Sequence, residues 1–145
     1  MLSGLFDRYP NIQVIPGHLG EGLPYTPPCL EYRLQMQRDG AGLGAATEPL
    51  SHYFNRNFLL TTSGHFHTRT LACAINEIGS DSVMFSVDYP YETMQEAAQW
   101  FDASLLCRNH RAKIGRANAA RVFGFDRNDR PRQIASKPKA KSTKH

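Results

Sequence analysis

Phe58-Leu59-Leu60-Thr61-Thr62 is a short apolar and β-branched run that follows the turn-prone Asn55-Arg56-Asn57, the pattern of a strand buried on both faces. Ile12-Gln13-Val14-Ile15 has the same form after the Pro10-Asn11 break, and Ser82-Val83-Met84-Phe85-Ser86-Val87 repeats it after Gly79-Ser80-Asp81. Helical periodicity lies between and after these runs, over residues 28–37, 67–78, 91–104 and 108–123. Strand and helix thus alternate three times, which predicts an α/β fold with a parallel sheet and right-handed crossovers. Three strands alone would leave two apolar edges with unpaired N–H and C=O groups. A closed eight-stranded barrel needs roughly 200 residues or more, so this chain of 145 residues provides only for the last strands of one. Met1 to Pro10 reads accordingly as the end of a helix entered midway.

Composition agrees with one folded unit, since 41% of the residues are hydrophobic and that is enough for a core. The net charge of +4 suggests a nucleic-acid partner only until it is located. From Arg127 to His145 seven Lys and Arg stand against Asp129 alone, which leaves the preceding part slightly acidic. Residues 126–145 are therefore expected to be a disordered basic tail, residues 1–125 the folded domain, and no nucleic acid a partner. Cys29, Cys73 and Cys107 form no CxxC pair and sit among apolar or helix-forming residues, so they are read as buried free thiols in a reducing compartment. The start has no basic segment leading into an apolar one, and no apolar run is long enough to span a bilayer. The expectation is a cytoplasmic protein without a membrane partner.

In parallel barrels chemistry collects where strands end and loops begin. The polar residues at those points are His18, the Thr61-Thr62-Ser63 group and Asp88. His18 emerges between Gly17 and Gly20, and Glu21 stands where it could hold one ring nitrogen and fix the tautomer. A histidine merely capping a glycine-rich turn would look the same. Asp88 follows the third run with Tyr89 and Tyr91 beside it, placed to bind a metal ion or exchange a proton. It would equally serve as the N-cap of the next helix. His65 and His67 are spaced to share an ion on a strand, but Gly64 breaks the strand before them and His67 begins a helix. His65 is kept as a pocket residue, together with Tyr89 and Tyr91. His52 and His110 are read as surface residues, and Trp100 and Phe101 as core.

Taken in order, Gly17-His18-Leu19-Gly20-Glu21-Gly22-Leu23-Pro24-Tyr25, Thr61-Thr62-Ser63-Gly64-His65-Phe66, Phe85-Ser86-Val87-Asp88-Tyr89-Pro90-Tyr91-Glu92 and Lys113-Ile114-Gly115-Arg116-Ala117-Asn118 resemble the C-terminal part of the amidohydrolase-related decarboxylases. The 2,3-dihydroxybenzoate and γ-resorcylate decarboxylases are the nearest in likeness, and the aminocarboxymuconate semialdehyde decarboxylases are more distant. The resemblance runs from Met1 to about Phe125. It implies a truncated (β/α)8 barrel of which the three runs are strands six, seven and eight. It also implies a carboxy-lyase acting on a small hydroxylated aromatic acid with a divalent metal, zinc or manganese, in full-length relatives that are homo-oligomers. His18 and Asp88 become the catalytic residues, Glu21 a supporting partner and Asp88 a metal ligand. The remaining ligands would come from the first and fifth strands, so this chain alone is not expected to hold the metal stably. A hydrolase of the same superfamily and a non-catalytic fragment are the alternatives.

Overall fold

The computed structural model describes residues 3–41 and 46–125, without the side chains of residues 37–41. The expected disordered tail lies outside the described residues. Seven α-helices are described: Leu5–Arg8 (α1), Pro27–Ala41 (α2), Leu50–Asn57 (α3), Thr68–Ile78 (α4), Met94–Ala103 (α5), Arg108–Ala112 (α6) and Asn118–Phe123 (α7). A π-helical turn, Lys113–Ala117, joins the last two, so residues 108–123 form the expected helix with one irregular turn. Leu60–Thr61 (β1) and Val83–Met84 (β2) pair in parallel, Leu60 opposite Val83 and Thr61 opposite Met84, with α4 as the crossover. Val14 continues the sheet as a parallel bridge to Phe58.

The three runs therefore lie side by side as expected, but the regular strands are shorter than their apolar stretches. Other partners take the ladder over at both ends. The Phe85 N–H donates to the Ile114 carbonyl at 2.8 Å, an oxygen presented by the π turn, where ordinary helical bonding is interrupted. The Thr61 N–H donates to Pro16 O at 3.0 Å and the Thr62 N–H to Met84 O at 3.1 Å. Two buried asparagines hold the approaches to the strands. Asn57 donates through Nδ2 to Pro10 O and Ile12 O, and Asn118 donates to Ser80 O and Val83 O at 2.7 Å each.

Three expectations change. Asn55-Arg56-Asn57 is the last turn of α3 rather than a break, because Leu50, Tyr53, Phe54 and Asn57 are buried at helical spacing. The helix expected from Tyr91 begins at Met94. Thr93 caps it, its Oγ1 accepting from Glu96 N–H at 3.3 Å and donating to the Glu96 carboxylate at 2.8 Å. The cysteines are free but not buried: Cys29 and Cys107 are exposed and Cys73 is intermediate. Cys107 sits at the start of α6, where its Sγ accepts from His110 N–H, a capping position that faces water.

The core joins Leu60 and Val83 of the sheet to Leu71, Ala74 and Ile78 of α4 and to Phe101 and Ile114. At its other end Phe6 stacks on Tyr53 and meets Phe58 edge-on, with ring centroids 5.9 Å and 5.7 Å apart. Trp100 rests against Phe66 and Phe101, as expected of core aromatics. Outside that aromatic group, Asp7 Oδ1 accepts hydrogen bonds from the hydroxyls of Thr47 and Tyr53, both at 2.6 Å. These two bonds, Thr47 first, hold the Asp7 carboxyl below the ordinary carboxylate pKa. A depressed folded pKa adds stability above the unfolded value, and that stability is lost as pH falls through the folded one. We expect Asp7→Asn to lower stability at neutral pH, with the difference from wild type closing as pH falls, so that the acid limb of the stability curve flattens. Urea titrations from neutral pH down to the acid range will show this, and an unchanged acid limb would remove Asp7 from the account.

Candidate active site

The site is built where three consecutive chain runs leave the sheet on the same side. Ser63, just past β1, accepts the His18 N–H on its carbonyl at 3.0 Å, which ties down the loop after Val14. On the other side Thr62, fully buried, uses one hydroxyl twice: Oγ1 donates to Ser86 O at 2.8 Å and accepts from Ser86 N–H at 3.0 Å. The Gly64 N–H donates to Val87 O at 3.4 Å. The middle run thus holds both neighbours, and the residues presented on either side are His18 and Asp88.

These two side chains meet. His18 Nε2 stands 3.4 Å from Asp88 Oδ2, and Glu21 Oε1 lies 3.7 Å from Nδ1 on the far side of the ring. The His18–Asp88 contact is at ion-pair range and long for a hydrogen bond. The Glu21 side chain is 79% exposed, so its pairing with His18 is screened by water and contributes little stability. His18 and Asp88 are 46% and 33% exposed, open enough to receive a ligand. Beside them a recess of about 390 Å³ is lined by Pro16, Gly17, His18, Gly20, Glu21 and Leu23.

The backbone here is unusual. Among the described residues four other than glycine have left-handed φ, namely His18 at 49°, Leu19 at 53°, Glu21 at 51° and Asp88 at 78°. Each such residue costs of order 1 kcal/mol or more, and such costs persist only where the surroundings over-determine the conformation. For the first loop the cause is visible: Leu19 is fully buried in the core, and burying a leucine is worth about 1.5–3 kcal/mol. The hydrophobic anchor offsets the strain and turns the neighbouring His18 outward. All four residues border the same site.

The sequence expectations for the site fare unevenly. The structure brings His18, Glu21 and Asp88 together. With α5 capped by Thr93, the Asp88 side chain is not its N-cap. Tyr89 and Tyr91 are 75% and 86% exposed and stand in solvent. The partly buried His65 is 6.4 Å, ring to ring, from His67, which is committed elsewhere: its Nδ1 accepts from Thr70 N–H at the start of α4. Sequence reasoning noticed Thr62 only as a polar strand end and Gly64 only as a breaker. Neither has a local signal for its contacts with the loops on each side.

As donors, an imidazole nitrogen and a carboxylate oxygen suit a divalent ion in kind. In number they fall short. Among the described residues no group of three or more His, Cys, Asp and Glu could hold a metal, whereas a catalytic zinc usually takes three protein ligands. Further, no helix among the described residues is long and apolar enough to cross a membrane.

Comparison with known proteins places this arrangement. Residues 1–125 match the family described as Amidohydrolase. The γ-resorcylate decarboxylase of Rhizobium sp. (strain MTP-10005) is 44% identical over 129 residues, which cover 87% of this chain and 38% of that enzyme. The crystal structure of a dihydroxybenzoic acid decarboxylase from Polaromonas sp. JS666, with bound manganese and the inhibitor 2-nitroresorcinol, matches with a TM-score of 0.78 at 44% identity. That match covers 86% of this chain and 37% of the other. The 5-carboxyvanillate decarboxylase of Sphingomonas paucimobilis matches with a TM-score of 0.82 at 35% identity, over 86% of this chain and 37% of its own. The chain thus spans 38% of the length of the Rhizobium enzyme. With a family match that runs from the first residue to the end of the described fold, the chain belongs to the amidohydrolase family.

Proposed function

We propose that this chain is the part of a metal-dependent decarboxylase that carries the last three strands, six to eight, of a (β/α)8 barrel, and that its substrate is a hydroxylated aromatic acid of the dihydroxybenzoate type. The single observation that carries the reading is the pairing of His18 Nε2 with Asp88 Oδ2 at 3.4 Å, at the ends of the two parallel runs that flank β1, in a chain similar to decarboxylases of such acids. Asp88 would be one ligand of the divalent ion, zinc or manganese, with the others supplied by segments outside this sequence. When bound, that ion would balance the charge of the substrate carboxylate.

The chain's own residues account for the proton. Asp88, in its acid form, gives its proton to the ring carbon that bears the carboxylate. The bond from that carbon to the carboxylate then breaks, its electron pair returns to the ring, and carbon dioxide leaves. The product is the phenol with hydrogen where the carboxylate stood, and Asp88 is left ionised. His18, in contact with Asp88 Oδ2, orients that carboxyl, and after carbon dioxide has left its Nε2 takes a proton from water and passes it to the ionised Asp88. Glu21 on Nδ1 favours the tautomer with hydrogen there, which leaves Nε2 facing Asp88.

The test is a graft. Residues 1–125 replace the matched segment of the Rhizobium γ-resorcylate decarboxylase, and carbon dioxide release from 2,6-dihydroxybenzoate is followed with manganese present. Turnover is the expected result. A folded, metal-loaded graft that releases no carbon dioxide would show that these residues do not support the reaction.

A further inference from the structure

Gly64 lies under the His18–Asp88 pair. Its φ is +63°, and a Cβ placed on it would stand 2.9 Å from both Cδ2 and Nε2 of His18 and 3.0 Å from Asp88 Oδ2. Carbon atoms do not pack that closely, so any side chain here must push the imidazole or the carboxylate away. The backbone is also committed, since the Gly64 N–H donates to Val87 O and the preceding Ser63 carbonyl accepts the His18 N–H. One residue therefore touches both partners through its bare Cα side and both loops through its peptide groups.

We propose that Gly64 is a positioning residue, whose missing side chain lets His18 Nε2 and Asp88 Oδ2 face each other at the mouth of the sheet. Its importance for catalysis rests on the proposed roles of His18 and Asp88, while the geometry stands without them. Left-handed φ explains only half of the need for glycine here. Gly79 shows the difference: its φ is +80°, and nothing lies within 4 Å of the Cβ it would carry. Substitution at Gly79 strains the backbone alone, and substitution at Gly64 strains the backbone and also drives the pair apart.

The experiment uses the full 145-residue chain in four forms: wild type, Gly64→Ala, Gly64→Asn and Gly79→Ala. Asparagine tolerates the left-handed region better than alanine, so Gly64→Asn retains the fold more readily and still carries the offending Cβ. Each protein is treated with diethylpyrocarbonate, and carbethoxylation of His18 is followed by peptide mass spectrometry with His52 and His110 as internal references. Both alanine variants should melt lower than wild type. Only the Gly64 variants should show His18 modified several-fold faster relative to the references, because Nε2 has swung away from Asp88 and into water. Unchanged His18 reactivity in folded Gly64 variants would overturn the proposal. So would equal changes in Gly79→Ala, or the collapse of both Gly64 variants while Gly79→Ala folds, since Gly64 would then serve the fold and not the site. No substrate is needed for the readout. A negative result therefore leaves the decarboxylase reading intact, and a graft without turnover leaves the positioning role intact.

Discussion

Asp88→Asn, placed in the graft that joins residues 1–125 to the remainder of the Rhizobium decarboxylase, should lower kcat on 2,6-dihydroxybenzoate far more than tenfold and leave the melting temperature close to that of the parent. The amide preserves the size of the side chain and cannot give up an acidic proton to the ring carbon. Stability is retained for a second reason. Asp88 sits at φ 78°, and asparagine is at least as tolerant of that region as aspartate. Its N-cap role is also excluded, because Thr93 caps α5. What changes is the proton and the charge facing His18 Nε2. If the variant keeps more than roughly a tenth of the parent kcat, a loss under ~1.4 kcal/mol, Asp88 is not the proton donor.

Leu19→Ala should destabilise the chain by about 2–5 kcal/mol, the usual range for a fully buried leucine, and that is a large share of a typical domain's 5–15 kcal/mol. Leu19 is fully buried although its φ is 53°. Alanine carries the same backbone cost in that conformation and removes the burial that offsets it. The His18 loop should therefore loosen as well as the core. Urea titration should show a lower midpoint with an unchanged slope. Leu105→Ala serves as the control, because Leu105 is 93% exposed and such changes usually stay within about 0.5 kcal/mol. A Leu19→Ala loss below about 1 kcal/mol would show that the loop's own hydrogen bonds hold it, and the anchoring argument would fail.

Much of this molecule can be read from local pattern. The run Phe58-Leu59-Leu60-Thr61-Thr62 and its two counterparts are apolar on both faces, which only a parallel, helix-covered sheet accommodates, and Leu60 does pair in parallel with Val83. Their polar ends then had to lie together at one edge of the sheet. Glu21, three positions from His18, is close enough in sequence for its contact with the ring to be anticipated. α3 escaped notice because eight residues with four buried positions give too short a stripe to stand out from the asparagine-rich turn it resembles. The cysteines were misjudged because composition around a residue reports helix formation, not which side of the helix faces water.

The sequence by itself determined the alternation of strands and helices, the parallel pairing, and His18 and Asp88 as the polar residues at the strand ends, because hydrophobic period and turn chemistry act over a few neighbouring residues. Only the tertiary structure decided that His18 Nε2 would face Asp88 Oδ2 at 3.4 Å, that Thr62 would clasp both backbone groups of Ser86, and that Gly64 would have to be bare beneath the pair. Each of these depends on atoms from runs separated by twenty to seventy positions in the sequence. The left-handed φ of Leu19 belongs with them. No local preference selects it, and the cost is met by burying the side chain among residues that arrive from elsewhere in the chain.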